Sequence, residues 1–194
     1  MRPVWPVGHS TKLDVRAPRA GRGGPRRADG ALARGVTTRD HVLRTLAAVA
    51  PGTRVVAVGC RGGLPADFAR LGLDVWACDP DPDAVASLRT ADAITEPNRR
   101  VTVASPTALG YPDAFADWAA LDLASVPECD AAEAFAELTR VVALGGWMWL
   151  AHPDGTDALL ALELPVGVVP AEAPQSHADG ATVIFRRVDD SVVG

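Results

Sequence analysis

An apolar run, Val55-Val56-Ala57-Val58, breaks abruptly into Gly59-Cys60-Arg61-Gly62-Gly63, and twenty residues beyond Gly59 a second run, Val75-Trp76-Ala77-Cys78, ends on Asp79. Residue types in that order suit one kind of chemistry. Glycines let backbone approach a ligand closely, and a carboxylate at the end of the next strand accepts hydrogen bonds from ribose hydroxyls. The pattern points to a nucleotide-type cofactor at the carboxyl edge of a parallel sheet. Asp79 is the strongest single candidate. Its alternative is a helix cap within Asp79-Pro80-Asp81-Pro82-Asp83, a sequence that turns without help. Gly59 and Gly63 are needed for the turn under either reading. Arg61 either holds a carboxylate or phosphate of a ligand or points into solvent from an eroded loop.

Other chemistries find little support. His9, His41, His152 and His177 are scattered along the chain, so no metal is expected. Cys60, Cys78 and Cys129 are odd in number and lack Cys-x-x-Cys spacing, which argues against a disulfide framework or a structural zinc. Cys60 and Cys78 read as small, half-buried residues rather than a redox pair. No Ser-His-Asp or Cys-His set can be assembled. Trp147 and Trp149 alternate on one strand and so share a sheet face, which favours core packing over a base-stacking platform.

The elements that must position Gly59 and Asp79 follow from the apolar spacing. A helix is expected from Thr38 to Ala50, capped by Thr37 or Thr38, with Asp40 in its first turn and Val42, Leu43, Leu46, Val49 and Ala50 as its stripe. Pro51-Gly52 stops it. Strands are expected at 54–58, 74–78, 100–104 and 117–121, then Trp147–Ala151, 165–170 and 181–188. Helices fall between them: Gly63 to Leu71, one capped by Asp81 with Pro82 at its first position, one opened by Pro127 with Phe135, Leu138 and Val142 inward, and a short one near 156–163. Alternation of apolar strands with helices means a parallel sheet covered on both faces.

Length and charge bound the rest. The 194 residues suffice for one sizeable core, and no apolar run approaches a membrane span. A soluble, cytoplasmic protein with no membrane contact is the expectation. Residues 1–40 hold nine basic groups against three acids, +6, so the remainder carries −11 of the −5 total. That basic, Pro- and Gly-rich arm (1–35) reads as flexible, with the folded domain at 36–194. It would suit nucleic acid, but arginine outnumbers lysine eighteen to one throughout, which favours a general compositional bias. A homo-oligomer is compatible with the sequence.

The order of motifs over about 38–188 resembles the class I methyltransferases that use S-adenosylmethionine. Val55–Gly63 looks like their first motif, Asp79 like the acid that holds the ribose, Phe115–Leu121 like the fourth strand, and Leu138–Leu150 like the helix, glycine turn and fifth strand. The resemblance implies a single doubly wound, Rossmann-like α/β domain with a seven-stranded, mostly parallel sheet whose last strand is antiparallel. It implies a cofactor edge built from Gly59, Cys60, Arg61, Gly63, Asp79, Pro80, Ser105 and Leu121, with S-adenosylmethionine as cofactor and an acceptor not identified. Departures from the pattern are specific. The acid two residues before the first glycine is Ala57, a loop glycine is Arg61, the acid after strand three is Ser105, and the proline before Gly145 is Leu144. A descendant that keeps the fold only for binding or assembly is the alternative, and a nicotinamide-dependent oxidoreductase a third. Acceptor specificity is expected from residues 1–37, the loop after strand four, or a second subunit.

Overall fold

The structure is a computed structural model and describes residues 35–59 and 61–189. The expectations for residues 1–34 and for Cys60 lie outside them. The first helix, α1 (Thr38–Leu46), starts where a reciprocal cap forms: the Thr37 hydroxyl accepts from the Asp40 amide at 3.1 Å and the Asp40 carboxylate accepts from the Thr37 amide at 3.1 Å. It ends four residues before Ala50, because the Ala48 and Val49 amides bond three residues back, to Thr45 and Leu46, and tighten the chain toward Pro51.

Strand β1 (Arg54–Val58) occupies the middle of the sheet. A single 3-10 turn (Arg61–Gly63) and α2 (Leu64–Arg70) lead to β2 (Asp74–Asp79), parallel to β1 with Val58 opposite Cys78. Asp81 caps α3 (Pro82–Arg89) through the Asp83 amide at 2.9 Å, and Val85 and Leu88 point inward, as the sequence predicts. An unforeseen turn of helix, α4 (Pro97–Arg100), precedes the edge strand β3 (Val101–Val103). Strand β4 (Ala116–Asp122) lies on the other flank of β1, with Val58 opposite Leu121.

Helix α5 runs over Ala131–Val141, four residues later than Pro127 suggested. The reason is Asp130, whose carboxylate accepts from the Ala132 and Glu133 amides at 2.9 and 3.0 Å and so fixes the start. Val142, expected on that helix, instead opens β5 (Val142–His152). The strand bulges at its glycines: Ala116 pairs with Val142 but Trp118 with Trp147. Gly146 sits there because a Cβ would lie 2.7 Å from the Asp117 carbonyl oxygen. After α6 (Thr156–Ala161) come β6 (Val168–Pro170), β7 (Gln175–His177) and β8 (Gly180–Arg187).

The sheet order is β3-β2-β1-β4-β5-β8-β6, and β8 runs antiparallel to β5, as expected of the last strand. The short β7, paired to β8, makes an eighth strand beyond the expected seven. Alternate strand residues feed two core layers. Val56, Val58, Leu121, Phe135, Leu138, Leu150 and Phe185 pack on one face. Val55, Ala57, Phe68, Trp149 and Ile184 pack with Val42 and Leu46 of α1 on the other. Fully burying one such large side chain contributes about 1.5–3 kcal/mol, so both layers are needed to hold the central strands. Trp147 and Trp149 do share the second face; Trp147 stacks on Trp118 at 5.7 Å between ring centres.

Candidate functional site

Parallel strands β1, β2 and β4 all end at one edge of the sheet, and that edge gathers the residues singled out by type and spacing. Gly59 has φ +96°, a conformation that side chains strain to adopt, and its amide stays in the ladder by donating to the Cys78 carbonyl at 2.9 Å. A Cβ on Gly59 would lie 2.8 Å from the Ser125 Cβ, so the loop after β4 rests directly against the glycine. Because Val58 pairs with both Cys78 and Leu121, the next residue in each strand comes level with Gly59: Asp79 on one side and Asp122 on the other.

On the Asp79 side is a cleft of about 460 Å³, lined by Asp79, Pro80, Asp81, Ser105, Pro106 and the 125–129 segment. That volume is in the range of small-ligand sites. Asp79 is a buried carboxylate whose Oδ1 accepts from the Asp81 amide at 2.8 Å, which fixes its orientation. The Ser105 hydroxyl lies 2.9 Å from that of Thr107. Cys129 closes the far wall, its thiol pKa raised above the ordinary value mainly by burial.

On the Asp122 side is a smaller cleft of about 260 Å³, lined by Thr38, Arg39, Gly62, Leu64, Asp122, Ala124, Ser125, Trp149 and Asp179. Ser125 borders both clefts. Arg39 of α1 donates to the Gly62 carbonyl and pairs with Asp67, tying the helix to the glycine turn. Asp122 accepts from the Ala124 amide at 3.1 Å and from the Ser125 hydroxyl at 2.9 Å. Asp179 accepts from the Thr38 amide and hydroxyl at 2.8 and 3.1 Å. A larger hollow of about 540 Å³ lies between α2 and α3; its lining shares only Asp81 with the Asp79 cleft, so we do not place the site there.

Of the residues expected at the site, Gly59, Asp79, Pro80 and Ser105 are brought together. Gly63 faces the hollow between α2 and α3, and Arg61 opens the 3-10 turn. Leu121 is fully buried beside Val58 and Leu150 and belongs to the core. Ala57, where the resemblance asks for an acid, is 2% exposed and packed in the layer beneath α1. Asp122, Ser125 and Arg39 were not foreseen. Asp122 follows a strand of ordinary apolar sequence, and only pairing across the sheet sets it beside Gly59.

Two histidines far apart in sequence also meet. The Trp149 indole N–H donates to His41 Nδ1 at 3.2 Å, so that nitrogen is an acceptor and the imidazole is neutral. The Thr182 hydroxyl lies 2.8 Å from the same nitrogen and 2.7 Å from His177 Nε2, linking the two rings. Burial, followed by the nearby His177, lowers the His41 pKa from its ordinary value. Glu172 stands 3.7 Å from His41 Nε2, its own pKa raised by burial. Among the described residues no group of three or more His, Cys, Asp or Glu is placed to hold a metal ion, and no helix is long and apolar enough to cross a membrane.

A central β1, a glycine turn at its end and an acid at the tip of β2, on a sheet closed by an antiparallel strand, define a class I methyltransferase fold. Residues 56–150 match the family described as "Methyltransferase domain", in keeping with a class I methyltransferase. Solved structures agree on the fold. A TehB-like S-adenosylmethionine-dependent methyltransferase from Corynebacterium glutamicum superposes with TM-score 0.61 at 15% identity, covering 78% of this chain and 88% of that one. A Haloferax volcanii structure, a Trm112 methyltransferase activator with a putative methyltransferase, gives TM-score 0.61 at 16% identity over 78% and 89%. The YcgJ protein of Bacillus subtilis gives TM-score 0.51 at 19% identity; 63% of this chain is covered, and it spans 53% of that protein's length. No curated protein matches the sequence.

Proposed function

We propose that this chain binds S-adenosylmethionine across Gly59 and promotes transfer of its methyl group to an acceptor not yet identified. One observation carries the reading: a buried, oriented carboxylate, Asp79, opens onto a cleft of about 460 Å³ at the level of a glycine that no side chain can replace without strain. The donor set fits the group. Asp79 has the oxygens to receive ribose hydroxyls, Pro80 stiffens the wall beside it, and the Ser105 hydroxyl offers the adenine side a weaker partner than a carboxylate would. When bound, the cofactor supplies an electrophilic methyl on a sulfonium. The protein's part is alignment and exclusion of water, which needs no general base held in advance. Acceptor recognition falls to the 122–129 loop and the start of α1, the parts that overhang the edge. Residues 36–194 act as the methyltransferase domain and 1–35 as a basic arm.

Calorimetric titration with S-adenosylmethionine and S-adenosylhomocysteine tests the reading directly. Binding in the micromolar range or weaker is expected, because Ala57 and Ser105 cannot make charged hydrogen bonds worth about 1.5–3 kcal/mol each. A second reading rests on Ser125, whose contact with Gly59 divides the edge into two clefts. If that bridge does not yield, the chain is a binding or assembly module with an inherited fold. Absence of heat and of any melting shift at millimolar ligand would select it.

A further inference from the structure

Loss of the acid at Ala57 leaves a methionine arm without its customary ionic partner, and the sheet register shows where another carboxylate stands. We propose that Asp122 receives the α-ammonium of the bound cofactor, taking over a role that β1 no longer supplies; the inference rests on the S-adenosylmethionine reading above. Position is the first argument. Gly59 is flanked at one level by Asp79 on β2 and Asp122 on β4, so a ligand lying over the glycine meets one carboxylate toward each end. With the ribose assigned to Asp79, the opposite end of the molecule falls on the Asp122 side, and that end carries the amino-acid group.

Charge is the second argument. Among the described residues Asp122 is held by two neutral donors, the Ala124 amide at 3.1 Å and the Ser125 hydroxyl at 2.9 Å. Neither donor carries a positive charge. Among the described residues that line this cleft, the one cationic side chain, Arg39, is turned to the Gly62 carbonyl and to Asp67. A cleft of about 260 Å³ that holds a carboxylate bonded to neutral donors and is walled by Trp149 and Leu64 suits a compact cation. An ammonium on a short aliphatic chain fits that description. Geometry is the third argument. Asp122 lies at the end of a strand locked between β1 and β5, so its carboxylate is placed by the sheet, whereas the exposed Asp179 in the same cleft belongs to the turn before β8.

The test uses the full chain and ligands that differ only in the arm. S-adenosylhomocysteine carries both ammonium and carboxylate, decarboxylated S-adenosylhomocysteine keeps the amine, and 5′-methylthioadenosine lacks both. In Asp122→Asn, whose amide oxygen still accepts from the Ala124 N–H, the first two ligands should bind about tenfold more weakly or worse, the loss of one charged hydrogen bond. Affinity for 5′-methylthioadenosine should be unchanged, which also shows that the cleft wall is intact. Asp179→Asn should leave all three affinities nearly unaltered. The proposal is overturned if Asp122→Asn binds S-adenosylhomocysteine as the parent does, if all three ligands weaken together, or if Asp179→Asn shows the amine-dependent loss instead. Should the parent chain bind none of the three, the S-adenosylmethionine reading itself falls, and this inference with it.

Discussion

The two sides of Gly59 make an instructive pair. Toward β2 the chain keeps a buried carboxylate fixed by the Asp81 amide, followed at once by a capped helix. Toward β4 the carboxylate at the same level is held by a loop that leans on the glycine itself. The first arrangement is assembled from five consecutive residues. The second depends on residues more than sixty positions apart in sequence, and on Ser125 lying where a Cβ on Gly59 would meet it. A ligand edge built this way loses contacts one residue at a time while the sheet beneath it stays whole.

The sharpest way to break the comparison is Asp79→Ala. If the β2 side anchors the ligand, titration should show about a hundredfold loss of S-adenosylhomocysteine affinity, the order of a lost charged hydrogen bond or two. An unchanged affinity would move the ligand elsewhere. Next comes Gly59→Ala, which forces φ +96° on a residue with a Cβ and pushes it to 2.8 Å from Ser125. We expect about 1–3 kcal/mol of lost stability in denaturant titration. Pairing it with Ser125→Gly should recover the part due to contact but not the part due to strain.

Smaller effects probe the support beneath the Asp122 side. Trp149→Phe removes the donor to His41 and should cost about 1 kcal/mol in the same assay. Acid should have a related effect with a definite sign. The His41 pKa is lowered in the fold, so below the unfolded value near 6.5 the unfolded chain binds more protons, and stability is lost as pH falls through the folded value. Glu172, raised by burial, works in the opposite sense, while Arg44 and His177 add to the lowering. Denaturation curves between pH 7.5 and about 5 should therefore separate the parent from His41→Gln, with the parent losing more. Least of all, Ser105→Ala should weaken ligand binding by no more than about threefold, since its hydroxyl already has Thr107 as partner.

What the sequence disclosed follows the same division. Strand β1, the glycine turn, β2 and the Asp81 cap were readable because each is specified by neighbours: a run of β-branched residues, glycines at positive φ, an Asp-Pro start. The boundary of α5 was misjudged because Pro127 and Asp130 are both plausible openings, and the Asp130 carboxylate, reaching two amides, decided it. Leu121, which the resemblance implies at the cofactor edge, lies in the core because β4 runs one residue further. Asp122, Ser125 and the meeting of His41 with His177 could not be seen, since nothing local distinguishes them. They exist as a site only once β4 lies beside β1 and β8 beside β5.

The stack of Trp118 on Trp147 has a consequence outside energetics. Two indoles 5.7 Å apart and 15° from coplanar, one on each of two neighbouring strands, are close enough to couple their electronic transitions, and a paired band of opposite signs in the ultraviolet circular dichroism is the expected outcome. Among the described residues no other two tryptophans stack, so loss of the signal in Trp118→Phe would assign it to the junction of β4 with β5. Light of the right wavelength thus reads whether these two strands remain side by side while a ligand is added or the chain is unfolded, with no label attached.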